Sequence, residues 1–319
     1  MNSIFGPVNS RRLGISLGID LLPPKICNFN CIYCEIGPIT NFTCERREYI
    51  PTAGIIAEID AFFADREAVA RLDVLTVTAS GEPTLHSGLG EIIRHLKAIS
   101  DKPVAVLTNG SLLHLAEVRA ELAVADIVIP SLDAAREESY RRINRPAACA
   151  PLDLVIEGLV AFGREFTGRC WLEILLAKGI NDQPEDLAAL QAAVARIKPE
   201  RIQLNTVARP PLEAFARPLD LAEMRAAAAY FPALPVDILT DPASRDHREK
   251  FRQVSEEEVL NLLKRRPCTK DDVATALGLA PVAAAALLQG LCDRGLAQLA
   301  SHRNQDYFQP TPVTSTEQS

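Results

Sequence analysis

Three cysteines fall within eight residues of this chain, in the stretch Lys25-Ile26-Cys27-Asn28-Phe29-Asn30-Cys31-Ile32-Tyr33-Cys34, with the spacing C-x3-C-x2-C. A loop of that length lets each thiolate turn inward on one inorganic centre without straightening the backbone. A [4Fe–4S] cluster takes four thiolates as a rule, so three local ones leave one iron open to a ligand that is not protein. A structural zinc ion would ask for a fourth Cys or His, usually in a paired second half. Cys44 is the nearest candidate, and no such half follows it. A disulfide framework fits poorly in a chain of 319 residues whose start lacks the basic and apolar regions of a secretory signal.

Other polar groups recur where apolar runs end. Ala79-Ser80-Gly81-Glu82-Pro83-Thr84 reads as a turn, as a solvated Glu before a helix, or as a place where a carboxylate or backbone carbonyls accept from a ligand ammonium. Asn109, before Gly110, suits a turn, and Ser131 and Asp133 suit a helix cap; each equally suits the hydroxyls of a sugar. Glu173 sits in an otherwise apolar strand, so it faces the interior or pairs with a base such as Arg169. Asn205 and Arg209 close the last strand, and Lys178 follows the one before; all three are candidates to face substrate. The basic segment Arg141-Arg142-Ile143-Asn144-Arg145-Pro146 is a solvated loop or a holder of phosphate, carboxylate or RNA backbone.

These positions need a frame, and the hydrophobic pattern supplies one. Residues 14–21 alternate as a strand does, and Pro23-Pro24 ends it. Apolar runs at 73–79, 103–107, 126–132, 171–176 and 201–207 predict buried parallel strands. Helical periodicity begins after Pro51 and recurs around 88–99, 111–122, 151–166 and 185–197. Six βα units of this kind make an α/β architecture, with chemistry expected at the carboxyl ends of the strands in either a barrel or a doubly wound sheet. With 48% hydrophobic residues the chain can bury a large core, and its net charge of −7 argues weakly against a broad nucleic-acid-binding surface. Eight cysteines without extracellular spacing, and no apolar run long enough for a membrane span, make the expectation a soluble, cytoplasmic protein with no membrane partner.

The cysteine spacing with Tyr33 before the third thiol resembles the radical S-adenosylmethionine (SAM) superfamily. The segment from Phe5-Gly6-Pro7-Val8 through Ser10-Arg11-Arg12-Leu13-Gly14 to Ser16-Leu17-Gly18-Ile19-Asp20 is similar to the wyosine-synthase-like branch, and the likeness extends to about residue 240. The resemblance implies an open, partial (β/α)6 barrel. It also implies a [4Fe–4S] cluster on Cys27, Cys31 and Cys34, with SAM chelated to the free iron and cleaved reductively to a 5′-deoxyadenosyl radical that abstracts hydrogen from substrate. Tyr33 would lie against the adenine, Gly81, Glu82 and Pro83 would meet the methionine amino group, and Asn109, Ser131 and Asp133 would line the ribose and carboxylate. An electron donor such as flavodoxin or ferredoxin is implied as a partner. The characterised branch modifies a tRNA guanosine with a second cluster built on cysteines upstream of the first; no cysteine precedes Cys27, which sets this chain apart from that chemistry. RNA, peptide and small-molecule substrates all stay open.

Residues 241–253 read as a polar linker, 254–310 as a small second domain, and 311–319 as a disordered tail. Ser255 with Glu258 forms a capping box, two short helical patterns follow, and residues 295–299 with Tyr307-Phe308 complete a two-stranded wing, so the whole resembles a winged helix-turn-helix. Its six basic and seven acidic residues, and a would-be recognition helix starting Pro281-Val282-Ala283, favour protein or peptide docking over DNA binding. The rival reading from another class is a non-catalytic iron–sulfur redox sensor that reports to DNA through this domain.

Overall fold

Apolar residues in phase with a strand on one side and a helix on the other give this chain its order. The computed structural model describes residues 3–10, 12–240, 254–303 and 305–311. The expected linker at 241–253 and tail residues 312–319 lie outside the described residues. In chain order come β1 (Ile4–Ser10), β2 (Gly14–Asp20), β3 (Ile26–Cys27), β4 (Asn41–Phe42), α1 (Thr52–Phe63), α2 (Arg66–Ala70), β5 (Val74–Thr78), α3 (Leu89–Ile99), β6 (Val104–Thr108), α4 (Ala116–Leu122), β7 (Ile127–Pro130), α5 (Glu137–Asn144), α6 (Leu152–Glu165), β8 (Arg169–Leu176), α7 (Pro184–Ile197), β9 (Arg201–Thr206), α8 (Leu221–Ala228) and β10 (Val236–Ile238). A second group follows: α9 (Glu256–Arg265), α10 (Lys270–Leu277), α11 (Pro281–Asp293), β11 (Ala297–His302) and β12 (Gln305–Pro310).

The main sheet runs β1-β2-β5-β6-β7-β8-β9-β10, parallel from β2 onward. Strand order follows chain order and never reverses. A doubly wound sheet has a reversal point; this one winds in a single sense, which makes it a partial barrel. Alternate residues form its inner layer, with Val74, Ala105, Ile127, Ile129 and Trp171 packed together. Their opposite-facing neighbours, among them Leu75, Val104, Val106 and Val128, join the core shared with the helices. Strands β5 to β9 are therefore buried on both sides, which explains their unbroken apolar runs.

Three features lie outside the expected frame. β1 pairs antiparallel with β2, with a register break between Phe5 and Val8; the Gly-Pro pair there hid its strand character. Residues 137–144, expected in part as loop, form α5, and Arg145 ends it in a left-handed turn (φ 46°). The basic run is correspondingly spent on neighbours: Arg141 pairs with Glu137 one helical turn away, and Arg145 with Glu213 at 2.6 Å. α4 starts at Ala116 rather than 111, because the Asn109-Gly110 turn takes up the preceding residues.

Among the described residues, no single helix is long and apolar enough to cross a membrane. The C-terminal group has its own core around Val259, Leu263, Val273 and Leu288, and β11 pairs antiparallel with β12.

Candidate functional site

The cysteine loop leaves β2 through Pro23-Pro24 and is clamped between two elements. On one side the Lys25 N–H donates to the Ser80 carbonyl (2.6 Å) and the Glu82 N–H to the Ile26 carbonyl (3.1 Å), fixing the loop to the end of β5. The approach is so close that a Cβ on Gly81 would lie 1.7 Å from the Ile26 carbonyl oxygen, so only glycine fits. On the other side the N–H groups of Asn30 and Ile32 donate to the carbonyls of Asn144 (3.1 Å) and Ile143 (2.9 Å) at the end of α5. Cys27, Cys31 and Cys34 carry free thiols. All three line a cavity of about 220 Å3 together with Tyr33, Gly81, Glu82, Pro83, Asn109, Ser131 and Glu173. Ten residues named from sequence thus meet in one place. Cys44 does not join them: it is disulfide-bonded to Cys149, across 105 residues, contrary to the expectation that disulfides have no place here.

Burial dominates the electrostatics. It pushes the Cys27 thiol up to about 12, with the nearby Glu82 charge adding to the effect, and raises Cys31 and Cys34 as well. Amide donors nonetheless aim at the sulfurs: Phe29 N–H at Cys27 Sγ (3.4 Å), Asn109 Nδ2 at Cys27 Sγ (3.8 Å) and Asn144 Nδ2 at Cys31 Sγ (3.5 Å). N–H donors directed at sulfur stabilise thiolate and tune bound iron. Among the described residues no group of three His, Cys, Asp or Glu is drawn together closely enough for a single metal ion. Three free thiols on the wall of one cavity, with no His among its lining residues, leave a structural zinc ion short of a ligand and suit a cluster with one open iron.

The carboxylates behave differently from surface acids. Glu82 is 1% exposed. One of its oxygens accepts from Thr84 N–H (2.9 Å), Thr84 Oγ1 (2.6 Å) and Thr108 Oγ1 (2.6 Å), the other from Asn109 N–H (2.6 Å). Its side chain thereby ties the end of β5 to the end of β6, leaving backbone to face a ligand. Asp133 accepts from Tyr33 Oη (2.6 Å), Asn144 Nδ2 (2.6 Å) and Leu175 N–H (2.9 Å), and burial lifts its carboxyl to about 6. It stands behind Tyr33 and holds that ring in place. Asn109 is oriented by Asn28 Oδ1 (2.9 Å) and by the Ser111 N–H (3.0 Å).

Glu173 faces the interior, in phase with Trp171. It accepts from Arg12 Nη1 (2.5 Å) and Asn205 Nδ2 (3.0 Å). Arg169, the partner considered from sequence, lies at the far end of β8, where it pairs with Glu200 (3.0 Å) and stacks on Trp171. Lys178 is not brought to the cavity: it is exposed and pairs with Glu223 (2.5 Å). Arg209 is buried and bridges two regions, bonding Glu35 just past the cysteine loop (2.9 Å) and Asp272 of α10 (3.5 Å). Sequence reading passed over Arg12, Asn28 and Asn144. Arg12 carried a signal, an Arg pair beside a strand; the asparagines carried none.

The profile described as Radical SAM superfamily matches residues 21–191. A UPF0026 protein of Synechocystis is 40% identical over 66% of this chain and 78% of its own length. A Brachyspira hyodysenteriae protein named GTPase Obg is 38% identical over 92% of this chain, which spans 43% of that relative. In structure, Streptococcus suis SuiB bound to S-adenosylmethionine aligns over 69% of this chain and 50% of its own, with 16% identity and a TM-score of 0.50, a likeness of fold.

Proposed function

This chain belongs to the radical SAM superfamily, and on that footing we propose that it is an enzyme in which Cys27, Cys31 and Cys34 hold a [4Fe–4S] cluster beside bound SAM. The observation that carries the reading is the ring of three unpaired thiols, each on the cavity wall, with amide N–H groups directed at two of the sulfurs. When bound, cluster and SAM supply a one-electron cleavage of the sulfonium and a 5′-deoxyadenosyl radical able to take hydrogen from substrate. The chain's own residues position and shield that chemistry. The carbonyls of Gly81-Glu82-Pro83 receive the methionine ammonium, because the Glu82 carboxylate is already committed to β6. Asn109 and Ser131 face the ribose and carboxylate. Tyr33, held by Asp133, forms the wall for the adenine. An electron donor of the flavodoxin or ferredoxin kind delivers the electron.

The helix order and terminal hairpin of residues 254–311 support the winged-helix reading. Its α10 and α9 pack on β1 at the barrel mouth, which favours a role at the barrel over DNA binding.

The test is anaerobic: reconstitute the chain with iron and sulfide, add SAM and dithionite, and quantify 5′-deoxyadenosine. Release that Cys31→Ala abolishes is the expected outcome. A colourless chain that binds neither iron–sulfur nor SAM would sink the proposal.

A further inference from the structure

The C-terminal domain does not hang free of the barrel. Arg265 lies over the Phe5 ring (3.8 Å) and ion-pairs with Asp20 at the end of β2, while Asp272 reaches the buried Arg209. Beneath this contact lies a cavity of about 560 Å3, walled by the barrel mouth on one side and by α9 and α10 on the other. It adjoins the cysteine cavity, sharing Ile36, Thr78 and Leu107 as common walls. The Thr78 side chain stands at that threshold without a hydrogen-bond partner among the described residues.

Charge on the walls is mostly cancelled, and what is left includes guanidinium edges on two facing sides. Asp20 and Asp272 are neutralised by Arg265 and Arg209. Arg12 spends Nη1 on Glu173 and Gln203, while its Nε and Nη2 have no partner among the described residues. Arg266, half-buried on the opposite wall, has no ion-pair partner among them either. Against these stands the exposed carboxylate of Asp271 in the first turn of α10. A guanidinium with a free edge is suited to a planar or tetrahedral oxyanion.

We propose that this chamber is the substrate compartment, and that it takes a small molecule bearing a carboxylate or phosphate held between Arg12 of the barrel and Arg266 of the C-terminal domain. The assignment rests on the radical SAM reading, which places the reacting centre next door. The volume falls in the range of about 300–1,000 Å3 usual for small-molecule sites, and a folded RNA or protein does not enter it. The C-terminal domain then acts as a roof that excludes water and bulk.

Two measurements decide it. First, melt the full-length chain without iron in rising inorganic phosphate, and separately in rising succinate. Saturable stabilisation by at least one anion is expected, with the half-saturating concentration raised about tenfold in Arg12→Met and in Arg266→Met but not in Lys178→Met, the control for general salt effects. Phosphate dominance indicates a phosphorylated substrate and succinate dominance a carboxylate. No stabilisation, or an equal response in all four chains, overturns the anion site. Second, compare 5′-deoxyadenosine release by the reconstituted chain with small anionic metabolites from cell extract and with total RNA. Stimulation by the metabolites is expected; stimulation by RNA alone overturns the small-molecule assignment. Absence of SAM cleavage in every arm removes the radical reading and with it the role as substrate compartment, while the anion titration still judges Arg12 and Arg266.

Discussion

Asp133 shows how much one buried carboxyl can report. Its partners Tyr33, Asn144 and Leu175 hold it, yet burial prevails and raises it from 3.8 to about 6. Between those values the folded chain keeps a proton that the unfolded chain has released, so unfolding free energy falls as pH rises. The contribution is full below about pH 4 and is lost as pH rises through about 6. At about 1.4 kcal/mol per unit, the loss is on the order of 3 kcal/mol. Urea unfolding of the iron-free chain at pH 4.5 and 7 spans most of this fall, and Asp133→Asn should flatten it by about 2 kcal/mol. Glu82 gives a second residue-level expectation. Its replacement by Ala strands two backbone N–H groups and two hydroxyls, so Glu82→Ala should cost about 2–4 kcal/mol in the same assay. Sequence alone marked both acids but cast them as ligand contacts. Apart from Thr84, their hydrogen-bond partners come from the cysteine loop, from β6 and the turn after it, from α5 and from β8, which no local pattern brings together.

At the scale of elements, the cysteine loop depends on the turn after β5. Gly81 leaves no room for a side chain against Ile26, so Gly81→Ala must push the loop away. Overpacking of this kind costs about 1–3 kcal/mol. The expected signature is a lower melting temperature together with reduced iron per chain after reconstitution; normal iron loading would show that the loop adapts. Strand positions were legible because β5 to β9 are buried on both faces and so read as apolar runs. β1 was not, because its pairing to β2 is broken near the Gly6-Pro7 step and every described residue in it is only half-buried. α5 was not, because its polar composition places it on the surface with four buried residues, too few for a clear helical stripe.

Across the whole molecule, Arg209 joins the cysteine loop, the end of the sheet and the C-terminal domain through Glu35 and Asp272. Both carboxylate partners are about a third open to solvent, so losing the guanidinium costs less than breaking a fully buried pair but frees the link between the two parts. Arg209→Ala should therefore loosen the domain from the barrel, seen as faster amide exchange in α10 with little change in α6; equal protection in both would refute the coupling. Sequence by itself determined the thiol loop and the strand–helix rhythm, since spacing and periodicity are local and survive without knowledge of contacts. Only the tertiary structure decided that Glu82 and Asp133 face protein partners, that Arg12 meets Glu173, and that α9 and α10 pack on β1. Those pairings join residues tens to hundreds of positions apart, and each is fixed by how the sheet curls and which faces it leaves to cover.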